Sequence, residues 1–266
     1  MNLFKRFKSK KKKTVGIALG GGAARGIAHL GVLLGLEELK VSIHMMSGVS
    51  SGALIGGLYA AGVPVSVLIS KLSSLSWRSF TSFHLSKRGM VSSVRIQRLV
   101  EALVGDVTLN DVQLPFMVVA TNILSGQSKV FYQSDHLLSL VIRASVSFPG
   151  VYSPIKIDDG VYIDGGVFQN VPVSPLIDHG ATAVIGVDVI PDLSMDTVPK
   201  NIPLMVDRSL DLMLVHQQKQ SRQPDILIRP MIEQVSSFDI KSYDRLIEFG
   251  YQSVKNASSQ IESLVA

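Results

Sequence analysis

Ser42-Ile43-His44-Met45-Met46-Ser47-Gly48-Val49-Ser50-Ser51-Gly52-Ala53-Leu54-Ile55-Gly56-Gly57-Leu58-Tyr59-Ala60-Ala61 is the stretch that decides how this chain folds. Residues 42–46 read as a strand and 51–61 as an apolar helix, stopped by Gly62 and Pro64. Between them lies Gly48-Val49-Ser50-Ser51-Gly52, a G-x-S-x-G pentapeptide at a strand-to-helix turn. Such a turn lifts the Ser50 hydroxyl above the sheet, and Gly48 and Gly52 remove Cβ clashes from a strained bend. The helix that follows aims its first N–H groups at developing negative charge. A plainer reading of the same residues is a helix N-terminus capped by Ser50 or Ser51.

Towards the N-terminus, residues 14–19 read as a buried strand that runs into Gly20-Gly21-Gly22-Ala23-Ala24-Arg25-Gly26. Consecutive small residues leave backbone N–H groups exposed to hold an oxyanion or a phosphate. A dinucleotide fingerprint does not fit. Started at Gly20, Arg25 stands in the third glycine's place; started at Gly21, Ala23 stands in the middle one. The acidic residue expected about twenty positions on is missing, and a G-K-[ST] phosphate loop is absent. An oxyanion loop is the leading reading, a tight turn the alternative. Towards the C-terminus, Asp164-Gly165-Gly166 follows a short strand at 161–163. Aspartate is a weak base at its usual pKa of about 3.9, so the role needs partial burial beside the serine. Asp158 and Asp159, ahead of Gly160, suit a solvated hairpin.

The 266 residues, 46% of them hydrophobic, fit one globular domain with a sizeable core. The net charge of +5 comes from Lys5, Arg6, Lys8, Lys10, Lys11, Lys12 and Lys13; without them the remainder stands at −2. Residues 1–13 are therefore a basic tail suited to anionic surfaces, or a solvated terminus, and 14–266 the folded domain. No nucleic-acid partner is expected. The absence of cysteine excludes a disulfide framework, and six scattered histidines without metal-ligand spacing leave no metal or cofactor expected. Residues 15–36 are apolar enough to suggest a membrane span, but they contain Arg25, His29 and many glycines; they read as strand, loop and packed helix (26–39). Further strands are expected at 115–120, 128–132, 183–189 and 225–228, and helices at 135–145, 203–217 and 242–264. Residues 71–93 read as a flap or a long loop, and 191–202 as a loop. Strands separated by helices imply a largely parallel sheet covered on both faces.

The three motifs in this order resemble the patatin-like phospholipase family. Arg143-Ala144-Ser145-Val146-Ser147-Phe148-Pro149-Gly150 with Pro154, Pro115-Phe116 through Asn122 with Ser125-Gly126, Asn170-Val171-Pro172, Gly186-Val187-Asp188 and Phe249-Gly250-Tyr251 extend the resemblance over about residues 14–255. It implies a three-layer α/β/α sandwich with a mostly parallel central sheet and a Ser–Asp dyad without a catalytic histidine: Ser50 the nucleophile, Asp164 the base, and the N–H groups of Gly21, Gly22 and Ala23 the oxyanion hole. Gly20, Arg25, Gly26, Gly48, Gly52, Gly165 and Gly166 would support them, Arg25 by orienting the loop or holding charge. Ala23 departs from the family's third glycine and resists positive φ, which predicts an altered hole and lower activity. The implied activity is hydrolysis of acyl lipids in the cytoplasm, with peripheral contact at the inner membrane face through residues 1–13. Two alternatives stand beside it. A Ser-His-Asp hydrolase would need His179 or His216; a lipid-binding or regulatory protein would keep the fold with weak turnover.

Overall fold

The computed structural model describes residues 13–73, 82–86, 89–191, 198–232, 235–237, 239 and 242–266. The strands are β1 (Val15–Leu19), β2 (Met45–Gly48), β3 (Ser82–Ser86), β4 (Gly89–Ser92), β5 (Phe116–Asn122), β6 (Gln127–Phe131), β7 (Ile155–Ile157), β8 (Gly160–Asp164), β9 (Ala183–Val187) and β10 (Ile226–Ile228). The helices are α1 (Ala28–Glu38), α2 (Ser51–Ala60), α3 (Val65–Ser73), α4 (Val94–Val104), α5 (Leu138–Ser145), α6 (Val173–Asp178), α7 (Ile202–Gln220), α8 (Tyr243–Asn256) and α9 (Ser258–Val265). Short 3₁₀ turns occupy Ala23–Ile27 and Gly165–Val167.

Eight strands among the described residues form one open sheet, ordered β10-β9-β1-β2-β5-β8-β7, with β6 also paired to β5. The run β10-β9-β1-β2-β5 is parallel, whereas β6 and β8 lie antiparallel to β5. The register on β5 positions the site. β6 occupies one edge of β5 from Val118 to Asn122. β2 ends with Gly48 opposite Val118, and β8 ends with Asp164 opposite Ala120. A strand has only two edges, so β2 and β8 share the other one, and their C-terminal ends meet across Val119.

Side chains alternate across the sheet. Val15, Ile17 and Leu19 of β1 join the main core beneath α1, α2, α5 and α8, while Ala18 faces a smaller cluster formed by Val173 and Leu176 of α6. α1 and α8 cross backbone to backbone: a Cβ on Gly31 would strike the Ile247 carbonyl, and one on Gly250 the Ala28 carbonyl. That crossing holds α1 just behind the glycine loop.

Several boundaries differ from the sequence reading. The second strand runs from Met45 to Gly48 rather than over 42–46, because it begins only where Met45 enters register with Gly16. Within 71–93, α3 ends at Ser73 and an antiparallel hairpin, β3–β4, replaces the expected loop; 74–81 and 87–88 lie outside the described residues. α3, α4 and α6 are additions. The helix expected at 242–264 is two helices, divided at Ala257. Of the loop at 191–202, residues 192–197 lie outside the described residues, as does the basic tail apart from Lys13, whose Nζ donates to the Leu264 carbonyl at 2.6 Å. No helix among the described residues is long and apolar enough to cross a membrane.

Candidate active site

The turn after β2 is strained at its centre. Ser50 sits at φ 53°, ψ −122°, in the left-handed half of the map, a conformation that costs a non-glycine residue about 1–3 kcal/mol. Its surroundings hold it there. The Ser50 N–H donates to Ser145 Oγ at 2.9 Å, and that hydroxyl donates to the Val119 carbonyl at 2.6 Å. A Cβ on Gly48 would lie 2.6 Å from the Gly52 carbonyl, and one on Gly52 would strike the Leu19 carbonyl. Both glycines of the pentapeptide are thus required by close backbone approach. A Cβ on Gly26 would collide with Ser51 Oγ, so the two motif loops interlock.

Asp164 reaches the same place from β8. It is 2% exposed, and its N–H donates to the Ser147 carbonyl at 3.0 Å. Oδ1 accepts from the Gly166 N–H at 2.8 Å, capping the turn that Gly165 and Gly166 form. Gly165 packs so closely on Val119 that a Cβ would meet its carbonyl. Oδ2 is buried without a full hydrogen bond. Burial pushes the carboxyl up to about 6, while the Ser50 hydroxyl and the Gly166 N–H pull it down. The Ser50 hydroxyl therefore acts on the carboxyl through a contact looser than a formed hydrogen bond.

The glycine loop completes the cluster. A Cβ on Gly21 would lie 3.1 Å from the Ser50 Cβ, so the loop passes directly over the serine. The N–H groups of Gly21, Gly22 and Ala23 find no acceptor among the described residues. Gly20 is held by its N–H on the Val187 carbonyl at 2.9 Å. Ala23 adopts φ 51°: alanine takes the strained conformation that glycine would take freely, so the loop keeps a glycine-like course.

Arg25 reaches from the loop to α7. It is buried, with Nε on the Val235 carbonyl at 2.7 Å, Nη1 on Asp211 at 2.7 Å and Nη2 on Asp207 at 3.5 Å. The geometry makes it an anchor from the loop to α7, with its charge already neutralised by two carboxylates.

Two residues outside the expected set belong to the cluster. Asn170 is buried, donates from Nδ2 to the Gly21 carbonyl at 3.3 Å, and its Oδ1 stands 3.4 Å from where a Gly166 Cβ would be. It joins the glycine loop to the aspartate turn. It was visible in the sequence only within Asn170-Val171-Pro172, with nothing to show what it would touch. His29 is buried in α1, and burial pulls it down to about 4. It is therefore neutral, and Nε2 donates to the Gly20 carbonyl at 2.8 Å. The histidines a triad would need lie elsewhere. His179 caps the end of α6, its Nδ1 2.7 Å from the Pro175 carbonyl, and exposed His216 contacts Gln220 on α7.

The model of the family described as patatin-like phospholipase matches residues 17–177. An uncharacterized NTE family protein of Mycobacterium bovis is 33% identical over 187 residues, covering 69% of this chain and 51% of its own. Lysophospholipase NTE1 of Meyerozyma guilliermondii is 28% identical over 273 residues, covering 90% of this chain and 19% of its own. The chain thus spans about half the length of the mycobacterial relative and under a fifth of the yeast one. Among solved structures, VipD from Legionella pneumophila superposes with a TM-score of 0.58 at 13% identity, over 95% of this chain and 67% of that one. Human GIVD cytosolic phospholipase A2 superposes with a TM-score of 0.56 at 12% identity, over 96% and 58%. At such identities the superpositions speak for the fold.

Proposed function

The chain belongs to the patatin-like phospholipase family, and on that premise we propose that it is a serine lipid acyl hydrolase working through a Ser50–Asp164 dyad. The observation that carries this reading is the meeting of two strand ends across Val119, one bearing a strained serine and the other a buried carboxyl raised to about 6. A carboxyl so raised is a stronger base than an ordinary aspartate and is still ionised at neutral pH.

In the proposed reaction Ser50 Oγ attacks the acyl carbonyl carbon and Asp164 Oδ2 takes the hydroxyl proton. The carbonyl oxygen becomes an oxyanion facing the N–H groups of Gly21, Gly22 and Ala23. Collapse breaks the ester bond, and the leaving alcohol takes the proton from Asp164. Water then adds to the acyl-enzyme, gives its proton to the same carboxylate, and releases the fatty acid and a regenerated serine. The proposed substrate is a fatty-acyl ester of a membrane lipid. The proposed setting is the cytoplasm, with residues 1–13 adding attraction to an anionic inner membrane face.

A fluorophosphonate probe tests the nucleophile. It should label the wild-type protein on Ser50 and leave Ser50→Ala unlabelled and inactive on p-nitrophenyl acyl esters; labelling of the alanine variant at equal rate sinks the assignment. His179→Ala and His216→Ala should keep activity within about twofold, whereas loss of a triad base costs orders of magnitude. Collapse in either folded variant overturns the dyad.

A further inference from the structure

α7 is inverted relative to an ordinary surface helix. At 100° per residue, Asp207, Asp211, Val215 and Gln218 form one stripe, and all four are buried. The acids on that stripe hold Arg25 of the glycine loop. The opposite stripe carries Ile202, Met205, Val206, Leu212 and Met213, with exposures from 43% to 81%. The helix cannot turn this face inward without breaking two buried ion pairs. The apolar stripe is therefore a fixed part of the surface.

The stripe is continuous with the site. Gln217 on its flank donates from Nε2 to the Val167 carbonyl at 2.9 Å. Val167 and Phe168, at 49% and 45% exposure, directly follow the Asp164-Gly165-Gly166 turn. Charge completes the picture. Both carboxylates of the helix face inward, while exposed Lys219 borders the stripe on one flank and exposed Lys200 precedes it. An apolar strip with a cationic border is the surface that lies on an anionic bilayer, apolar side chains in the acyl boundary and cations among the headgroups. No acid of the helix faces outward to oppose that contact.

We infer that the outward face of α7, with Val167 and Phe168, is a lipid-docking surface that sets the mouth of the site against an anionic bilayer. The choice of a lipid as occupant rests on the hydrolase reading above. Full-length protein carrying Met205→Gln, Leu212→Gln and Met213→Gln should sediment with vesicles of phosphatidylcholine and phosphatidylglycerol at least about tenfold more weakly than wild type. High salt during the assay screens the contribution of residues 1–13. Ile202→Gln with Val206→Gln, at the other end of the stripe, should weaken binding in the same direction. Hydrolysis of a soluble short-chain ester should be unchanged in both variants, and thermal melting should match wild type. Undiminished vesicle binding overturns the proposal. So does a wild-type dimer in light scattering that becomes monomeric in the triple variant while vesicle binding persists. A wild type that hydrolyses no ester refutes the hydrolase reading alone, because sedimentation judges the surface independently.

Discussion

The two turns that meet across Val119 are stressed in different ways. Ser50 is half-buried and carries its stress in the backbone, at φ 53°. Asp164 has a backbone any residue adopts, φ −50° and ψ 133°, and carries its stress in its charge, buried with one oxygen lacking a full hydrogen bond. A backbone constraint aims an atom and stays whatever side chain is present. A desolvated charge raises basicity and vanishes when the charge does. The elbow therefore reads as a device for position, the aspartate turn as a device for reactivity.

The sharpest way to break this contrast is Asp164→Asn. The amide can keep the bond from Gly166 but cannot take the serine proton, so hydrolysis should fall by about 10³-fold or more. Stability should move the other way. The folded-state pKa, about 6, lies above the ordinary value of 3.8. The folded protein then binds the proton more tightly than the unfolded chain. Its stabilising effect is complete below the lower value and is lost as pH rises through about 6. The shift corresponds to roughly 3 kcal/mol. Melting of wild type and variant between pH 4 and 8 checks this: the variant should gain on wild type as pH rises, while wild-type activity climbs across the same interval. A constant stability difference across that range would remove charge stress from Asp164.

The complementary change is Ser50→Gly set against Ser50→Ala. Both lack the nucleophile, but only glycine relieves the left-handed backbone. Glycine should therefore be the more stable of the two by about 1 kcal/mol in denaturant unfolding. Equal stability would mean that the elbow holds no backbone stress. The smallest effect is expected at Ala23→Gly. It relieves φ 51° in the loop and should raise stability by up to about 1 kcal/mol, with activity within about threefold of wild type. A large gain in activity would bear out the altered oxyanion hole expected from Ala23.

What the sequence disclosed follows from how local each feature is. The G-x-S-x-G turn, the glycine loop and the Asp-Gly-Gly turn each lie within a few residues, and the alternation of strands and helices fixed the layered fold. Asn170 and Arg25 were opaque in role because their partners are remote: Asn170 meets Gly21 across 149 residues, and Arg25 meets Asp211 across 186. α7 shows the same limit. Its apolar stripe is readable, but whether that stripe faces in or out depends on Arg25 supplying a counter-charge for the opposite face. The second strand was misplaced because hydropathy alone cannot say where hydrogen bonding to β1 starts.

The end-to-end meeting of β2 and β8 also bears on the order in which the molecule is made. A ribosome delivers the serine elbow early: β1, α1, β2 and α2 follow one another and β1 pairs with β2, although the Ser145 hydroxyl that holds the Ser50 N–H comes later. The carboxyl arrives only when β8 lays itself on the free edge of β5. The glycine loop is tethered later still, once α7 and the Val235 carbonyl have emerged to hold Arg25. On the proposed dyad, a nascent chain displays its serine before the carboxylate assigned to deprotonate it is in place.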